Sequence, residues 1–250
     1  MGHVRRIAKF SHARNEDQLE AVRMIMALDK DPEAKRFMIP IYDAVPRASD
    51  KWCRIVLGCL DDAQTGRDIK PDLYQPHTFG KWITVRHLVP RPDGHDKWAV
   101  IDHIKAILNA LHYFHQKDLV MNDAKPENFG FYEGRLVVID FGGFAQRGVR
   151  PHEYTPAYSP PGPRGGQPAD DVYAVAVMLG EALYNKPPEE LKPSQVKRLR
   201  EPYLDKGLFD AVAWTILSMG LHQFPVIRYK DAPSMLKALE HLEGLRGDEE

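Results

Sequence analysis

The sequence predicts an α+β fold of two unequal parts, a small N-terminal part mixing strands with one helix and a larger, mainly helical part behind it. Three observations carry this. Short β-branched runs bounded by turn residues fall early in the chain. After the loop PRPDGHD, apolar residues spaced three and four apart take over. One later segment, DDVYAVAVMLGEALY, is apolar on nearly every side, which marks a helix enclosed by its domain.

Each element follows in order. VRRIAKF is a short strand candidate. In NEDQLEAVRMIMALDK, Leu19, Val22, Ile25 and Met26 recur at helical spacing, and Asn15 stands where it can cap the first turn. FMIPIYDAV and CRIVLGCL read as strands. A polar stretch, DDAQTGRDIKPD, leads into LYQPHTFGKWI, and the boundary between the parts is placed to give 1–79 and 80–250. KWAVIDHIKAILNALHYFHQ puts Val100, Ile101, Ile104, Ile107, Leu108, Leu111 and Phe114 on one broad face. A loop, the strand RLVVIDF and a glycine turn come next. A Pro- and Gly-rich loop runs to residue 168, ahead of the buried helix, and amphipathic helices around 206–221 and 231–243 close the pattern.

Composition narrows the function classes. With 250 residues, 43% hydrophobic and 28% charged, the chain can bury a sizeable core. A formal net charge of -1 gives no electrostatic reason for nucleic acid or an anionic membrane as a partner. No apolar run approaches the roughly 20 residues that span a bilayer. The basic stretch MGHVRRIAKFSHARNEDQ lacks an apolar run of signal-peptide length. Cys53 and Cys59 are too few for a disulfide framework, so a reducing, cytoplasmic compartment is expected. Two thiols do not complete a structural zinc site without histidine ligands.

The chemistry concentrates in residues 119–143, LVMNDAKPENFGFYEGRLVVIDFGG. Asp123 and Asp140 fall on two loops joined by a strand; Asn128 shares the first loop and a glycine pair ends the second. Such a set can hold magnesium through oxygen ligands. Lys125, two residues past Asp123, can neutralise charge on a transferring phosphoryl group. Taken singly, DAKPEN also reads as a surface turn and VVIDFGG as a strand entering a hairpin. His112 and His115 stand at i, i+3 on a helix, but no third metal ligand accompanies them.

At this separation and in this order, the two pieces resemble the protein-kinase family. Its H-R-D-x-K-P-x-N loop is similar to Met121-Asn122-Asp123-Ala124-Lys125-Pro126-Glu127-Asn128, and its D-F-G to Asp140-Phe141-Gly142. The resemblance makes Asp123 the acceptor of the substrate hydroxyl proton and Lys125 the contact to the γ-phosphate. It makes Asn128 and Asp140 the magnesium ligands. Leu111-His112 resembles the family's L-H before the catalytic loop, with His112 a structural helix residue. Thr155-Pro156-Ala157-Tyr158-Ser159-Pro160-Pro161-Gly162 resembles T-P-x-Y-x-x-P-E, and Asp170-Asp171-Val172-Tyr173 resembles S-D-V-W. Pro225-Val226-Ile227-Arg228 resembles a late P-x-x-R. Asp171 would accept hydrogen bonds from the catalytic-loop backbone, and Thr155 would bond near Asp123 and Lys125. The implied fold is bilobal with a truncated N-terminal β lobe. The implied activity is ATP- and magnesium-dependent phosphorylation of serine or threonine on a protein substrate, since the K-P-E and T-P-x-Y pieces resemble Ser/Thr rather than Tyr kinases. FMIPIYDAV and YQPHTFGKWI also resemble kinases of large DNA viruses.

Several positions depart from the family. Nothing resembles its G-x-G-x-x-G loop over the ATP phosphates; lost strands, a covering partner or segment, and a hairpin encoded upstream are the competing explanations. Arg5-Arg6-Ile7-Ala8-Lys9 resembles V-A-I-K, which makes Lys9 the partner of the α- and β-phosphates. Its ion-pair acceptor is then Glu20, with Glu16 as alternative. Residues 73–80, with Gln75 and His77, are the expected adenine-reading hinge; CRIVLGCLDDA is the alternative. Met121 and Asn122 replace the family's His and Arg, so control through phosphorylation of a segment paired to that Arg is not expected. Gly162 replaces the Glu that pairs with the late Arg, leaving Arg228 unpaired or paired elsewhere. Arg147, Arg150 and Arg164 read either as favouring an acidic substrate or as a solvated loop. A pseudokinase that binds nucleotide or scaffolds a partner is the alternative function.

Overall fold

The computed structural model describes residues 6–12, 16–28, 30–38, 41–47, 52–58, 97–132, 135–151, 154–162, 165–195 and 207–246. The N-terminal elements are strand β1 (Arg6–His12), helix α1 (Glu16–Leu28), and strands β2 (Ile41–Arg47) and β3 (Trp52–Gly58). β3 is the central strand, antiparallel to both neighbours in the order β1-β3-β2, with Lys9 opposite Ile55. The register on β2 shifts between Ile41 and Asp43, a one-residue irregularity of the kind that bends a strand. The expected cap at Asn15, the hinge at 73–80 and the boundary at 79 and 80 lie outside the described residues.

The rest is mainly helical. α2 (Lys97–Gln116) buries all seven residues of the face read from its sequence, together with Ala110, Tyr113 and His115. β4 (Leu119–Val120), β5 (Phe129–Tyr132), β6 (Arg135–Val138) and β7 (Ala145–Gln146) follow, with β5 and β6 forming a hairpin and β4 pairing with β7. The sequence pattern shows only one of these four strands, β6. The others are two to four residues long and carry no legible alternation.

α3 (Pro168–Tyr184) is enclosed along nearly its whole length. Proline at its first position needs no N–H partner there. The N–H of Gln167 donates to Asp170 Oδ2 at 3.1 Å, and Asn185 ends the helix in the left-handed region at φ 50°. α4 (Leu208–Gly220) and α5 (Ala232–Glu243) pack around it, α5 capped by Asp231, whose carboxylate accepts from the Ser234 N–H at 2.9 Å.

One apolar core runs from Ala21, Ile25, Ala34 and Met38 into α2, α3, α4 and α5. The N-terminal part joins it through main-chain bonding as well: Met38 bridges Val138 of β6, whose N–H donates to Phe37 O at 2.9 Å. Phe37 stacks on Tyr113 with centroids 5.1 Å apart. Among the described residues, no helix is long and apolar enough to cross a membrane.

Candidate active site

The loop after β4 carries three of the singled-out side chains and closes them on one another. Asp123 is the hub. Lys125 Nζ donates to Asp123 Oδ2 at 2.7 Å, and Asn128 Nδ2 donates to Asp123 O at 2.7 Å and to Oδ2 at 3.1 Å. Thr155 Oγ1, from thirty residues further on, donates to Asp123 Oδ1 at 2.7 Å and accepts from Lys125 Nζ at 2.9 Å. Lys125 and Asp123 are both largely buried, at 25% and 14% side-chain exposure, so the pair is less screened by solvent than a surface ion pair. Accepting from several donors fixes the Asp123 carboxylate in one rotamer.

Asp140 stands on the turn that follows β6. β6 delivers it, and the Gly142 N–H donates back to Asp140 Oδ1 at 2.9 Å, turning the chain sharply. Phe141 points into the core, with its centroid 5.8 Å from Phe144, which in turn meets Phe114 of α2 edge-on at 4.9 Å. The turn then presses on the Asp123 loop: a Cβ built on Gly143 would lie 2.6 Å from Met121 O and 2.8 Å from Asp123 Cβ. Real Cβ atoms essentially never approach so closely, so glycine is required here for contact rather than for conformation.

Behind the loop, Asp171 of α3 is buried and accepts from the N–H groups of Met121 at 2.8 Å and Asn122 at 2.7 Å, and lies 2.9 Å from His115 Nε2. Helix α3 therefore fixes the two residues that precede Asp123. His115 is the buried histidine of α2. His112, singled out from the sequence, is half-buried and meets Gln116 instead, at 3.0 Å. Among the described residues no group of three or more His, Cys, Asp or Glu could hold a metal ion by itself.

The T-P-A-Y turn is held from below. Tyr158 donates to Glu181 Oε2 of α3 at 2.6 Å, Ser159 Oγ donates to Thr155 O at 2.8 Å, and Lys192 Nζ donates to Pro156 O at 2.9 Å. The sequence reading did not single out Glu181 or Lys192, and it noted His115 only as one of a histidine pair, because each acts through a partner far away in the chain. Arg228 is buried with its guanidinium 5.3 Å from the Tyr173 ring centroid, and its Nε has no hydrogen-bond partner among the described residues. Burial pushes its pKa down while the Asp170 carboxyl nearby pulls it up. Burial raises Asp170 in turn, and Arg228 is among the groups that pull it back. With glycine at 162, Asp170 and the Tyr173 face are what this cation meets.

Other expected residues stand apart or out of view. Glu20 is exposed on α1 and pairs with Arg23 at 3.3 Å. Lys9 lies on β1, but its side chain, like Gln75 and His77, is outside the described set. Arg147 donates from Nη2 to His115 O at 2.8 Å and is thereby committed to the scaffold.

No protein-family profile matches the sequence, and no curated protein matches it. Solved structures do. The kinase domain of Mycobacterium tuberculosis PknI, as a double mutant, superposes with a TM-score of 0.58 at 19% identity, over 95% of this chain and 84% of that one. A single mutant of the same domain gives a TM-score of 0.60 at 18% identity, over 96% of this chain and 85% of that one. Both are bacterial, so the viral resemblance gains no support from them. Likeness at this level of identity concerns architecture, and it agrees with the element order around the Asp123 loop: the chain has a protein-kinase fold with a short N-terminal sheet and a mainly helical remainder.

Proposed function

We propose that this chain is a serine/threonine protein kinase that transfers the γ-phosphoryl group of ATP to a protein hydroxyl. The observation that carries the proposal is the closed triangle of Asp123, Lys125 and Thr155, with Asn128 bonded to its carboxylate corner. A scaffold has no need to hold a lysine and a carboxylate in partly buried contact beside a second carboxylate turn, whereas phosphoryl transfer does.

The donor set fits magnesium. Asn128 spends its N–H donors on Asp123, which leaves the amide oxygen to the cation, and Asp140 offers a carboxylate. Two hard oxygen ligands from the protein suit an ion that takes the rest of its shell from phosphates and water. Magnesium, when bound, neutralises charge on the phosphates of ATP. The chain's own residues do the rest. Asp123, fixed by Thr155 and Asn128, accepts the proton of the attacking hydroxyl. Lys125 places a positive charge where the transferring group becomes more negative. Thr155 ties the substrate-side segment to both. Lys9 would contact the α- and β-phosphates with Glu20 as its acceptor, and Gln75 and His77 would line the adenine site.

The test is transfer of labelled phosphate from ATP and magnesium to a generic basic protein. Asp123→Asn and Asp140→Ala are each expected to lower the rate by at least about 10³-fold, with the fold retained by circular dichroism. Nucleotide binding without transfer in the unmutated chain would show a pseudokinase instead.

A further inference from the structure

We infer that Lys192 is a positioning residue that sets how firmly the chain holds a protein substrate, an inference that rests on the kinase reading above. Within the 3-10 turn Pro156–Tyr158, the Ser159 N–H reaches Pro156 O only at 3.3 Å. Lys192 Nζ reinforces what the main chain leaves weak, donating to Pro156 O at 2.9 Å and to Ala157 O at 3.3 Å. A lysine on the closing carbonyls of a helical turn acts as a cap, and its charge strengthens the bonds. The neighbours on either side are fixed by their side chains. Thr155 Oγ1 bonds Asp123 and Lys125, and Tyr158 donates to Glu181 at 2.6 Å. Pro156 and Ala157 carry no polar side chain, so the middle of the turn is gripped through its carbonyls.

Lys192 reaches the turn from a mount that its own stretch of sequence makes rigid. Asn185 turns the chain at the end of α3. A second 3-10 turn, Pro188–Leu191, follows, with the Glu190 N–H donating to Pro187 O at 3.0 Å. Leu191 is fully buried and sits against Gly180 of α3. Pro193 then confines Lys192 to extended backbone, at φ -71° and ψ 148°, and the Gln195 N–H donates to Lys192 O at 2.8 Å. With the backbone fixed by folding, only side-chain freedom is lost when Nζ reaches the two carbonyls. Asn128 and Asp140 are held by bonds to Asp123 and to the Gly142 N–H, so the ATP side of the site stands apart from this tie. Loosening the turn should therefore fall on the protein substrate that lies against it.

The experiment compares the full chain with Lys192→Met, which keeps an apolar stem and removes the charge and the donors. Transfer of labelled phosphate is measured against the concentration of a basic protein and, separately, of ATP. Amide hydrogen exchange over residues 157–159 and thermal unfolding are followed alongside. The KM for the protein substrate and the exchange of the turn are each expected to rise about tenfold, with the KM for ATP and the unfolding midpoint little changed. Lys192→Arg, which retains charge and donors, should stay nearer the unmutated chain. An unaltered KM for the protein substrate in Lys192→Met overturns the inference, whether or not the unfolding midpoint falls. An equal rise in the KM for ATP overturns it too, since that marks a general loosening of the site. Absence of transfer in every form, with exchange still raised in Lys192→Met, overturns the kinase reading and leaves the tie to the turn supported.

Discussion

Asp123, Lys125, Asn128 and Asp140 are recognisable in the sequence because their chemistry depends on local spacing: a loop of six residues and a turn after one strand. Their neighbours are another matter. Gly143 reads as an ordinary turn glycine, and only the 2.6 Å approach of its absent Cβ to Met121 O shows that the position has no room for a side chain. Gly143→Ala is therefore expected to separate the two loops. Overpacking of this kind costs about 1–3 kcal/mol. A shift of about 1 Å at a reacting centre costs on the order of 10² in rate. Steady-state phosphotransfer by the alanine variant, alongside its unfolding midpoint, checks both; a variant with normal turnover would show that the loops tolerate the separation. The role of His115 was not legible for a related reason. Two histidines three residues apart on one helix look alike in sequence, and only the packing of α3 against α2 decides which of them meets Asp171.

Among elements, the long helices are legible because burial imposes a period, and α2 and α3 bury what their patterns predict. The short strands β4, β5 and β7 are not, since β4 and β7 are two residues long and β5, with Gly130 inside it, lacks the β-branched run that marks β6. How closely helices approach is equally hidden. Gly220, at the end of α4, lies so near α3 that an added Cβ would stand 2.5 Å from Ala176 Cβ. Gly180 is similarly hemmed in by Leu191, at 2.9 Å. Gly180 faces a flexible leucine that can yield, whereas Gly220 faces a methyl carried directly on a helix backbone. Gly220→Ala is expected to lower stability by about 1–3 kcal/mol despite alanine's better helix propensity, and Gly180→Ala by less. Urea unfolding of the two variants ranks them, and the reverse order would contradict this view of the α3–α4 contact.

At the scale of the whole molecule, the N-terminal elements are tied to the helical part by a polar cluster as well as by the shared core. Asp31, just past α1, accepts from the Glu33 N–H at 2.9 Å and the Tyr113 hydroxyl at 2.8 Å, and pairs with Lys117 at 3.0 Å. The Glu33 N–H first, then Tyr113 and Lys117, hold its carboxyl below the ordinary value of 3.8; burial and Asp31 together push Tyr113 up, so that it stays neutral and donates. A carboxyl whose pKa is lowered by folding adds stability above its unfolded value, and that contribution is lost as pH falls through 3.8 and below. Thermal unfolding followed from neutral to acidic pH should show Asp31→Asn less stable than the unmutated chain at neutral pH. The difference should shrink as the solution is acidified past that value. A difference that stays constant with pH would separate the cluster from acid stability.

The sequence by itself determined the mixed early elements, the helices of the later part, and the identity and spacing of the side chains that the proposed phosphoryl transfer would use. These are properties of short stretches, set by periodicity and by which residues share a loop. Tertiary structure alone decided that Thr155 closes on Asp123, that Asp171 holds the loop from beneath, and that Asn122 bridges to Gly143. Contacts between residues twenty to fifty positions apart depend on how the intervening elements pack, and local pattern carries no record of that packing.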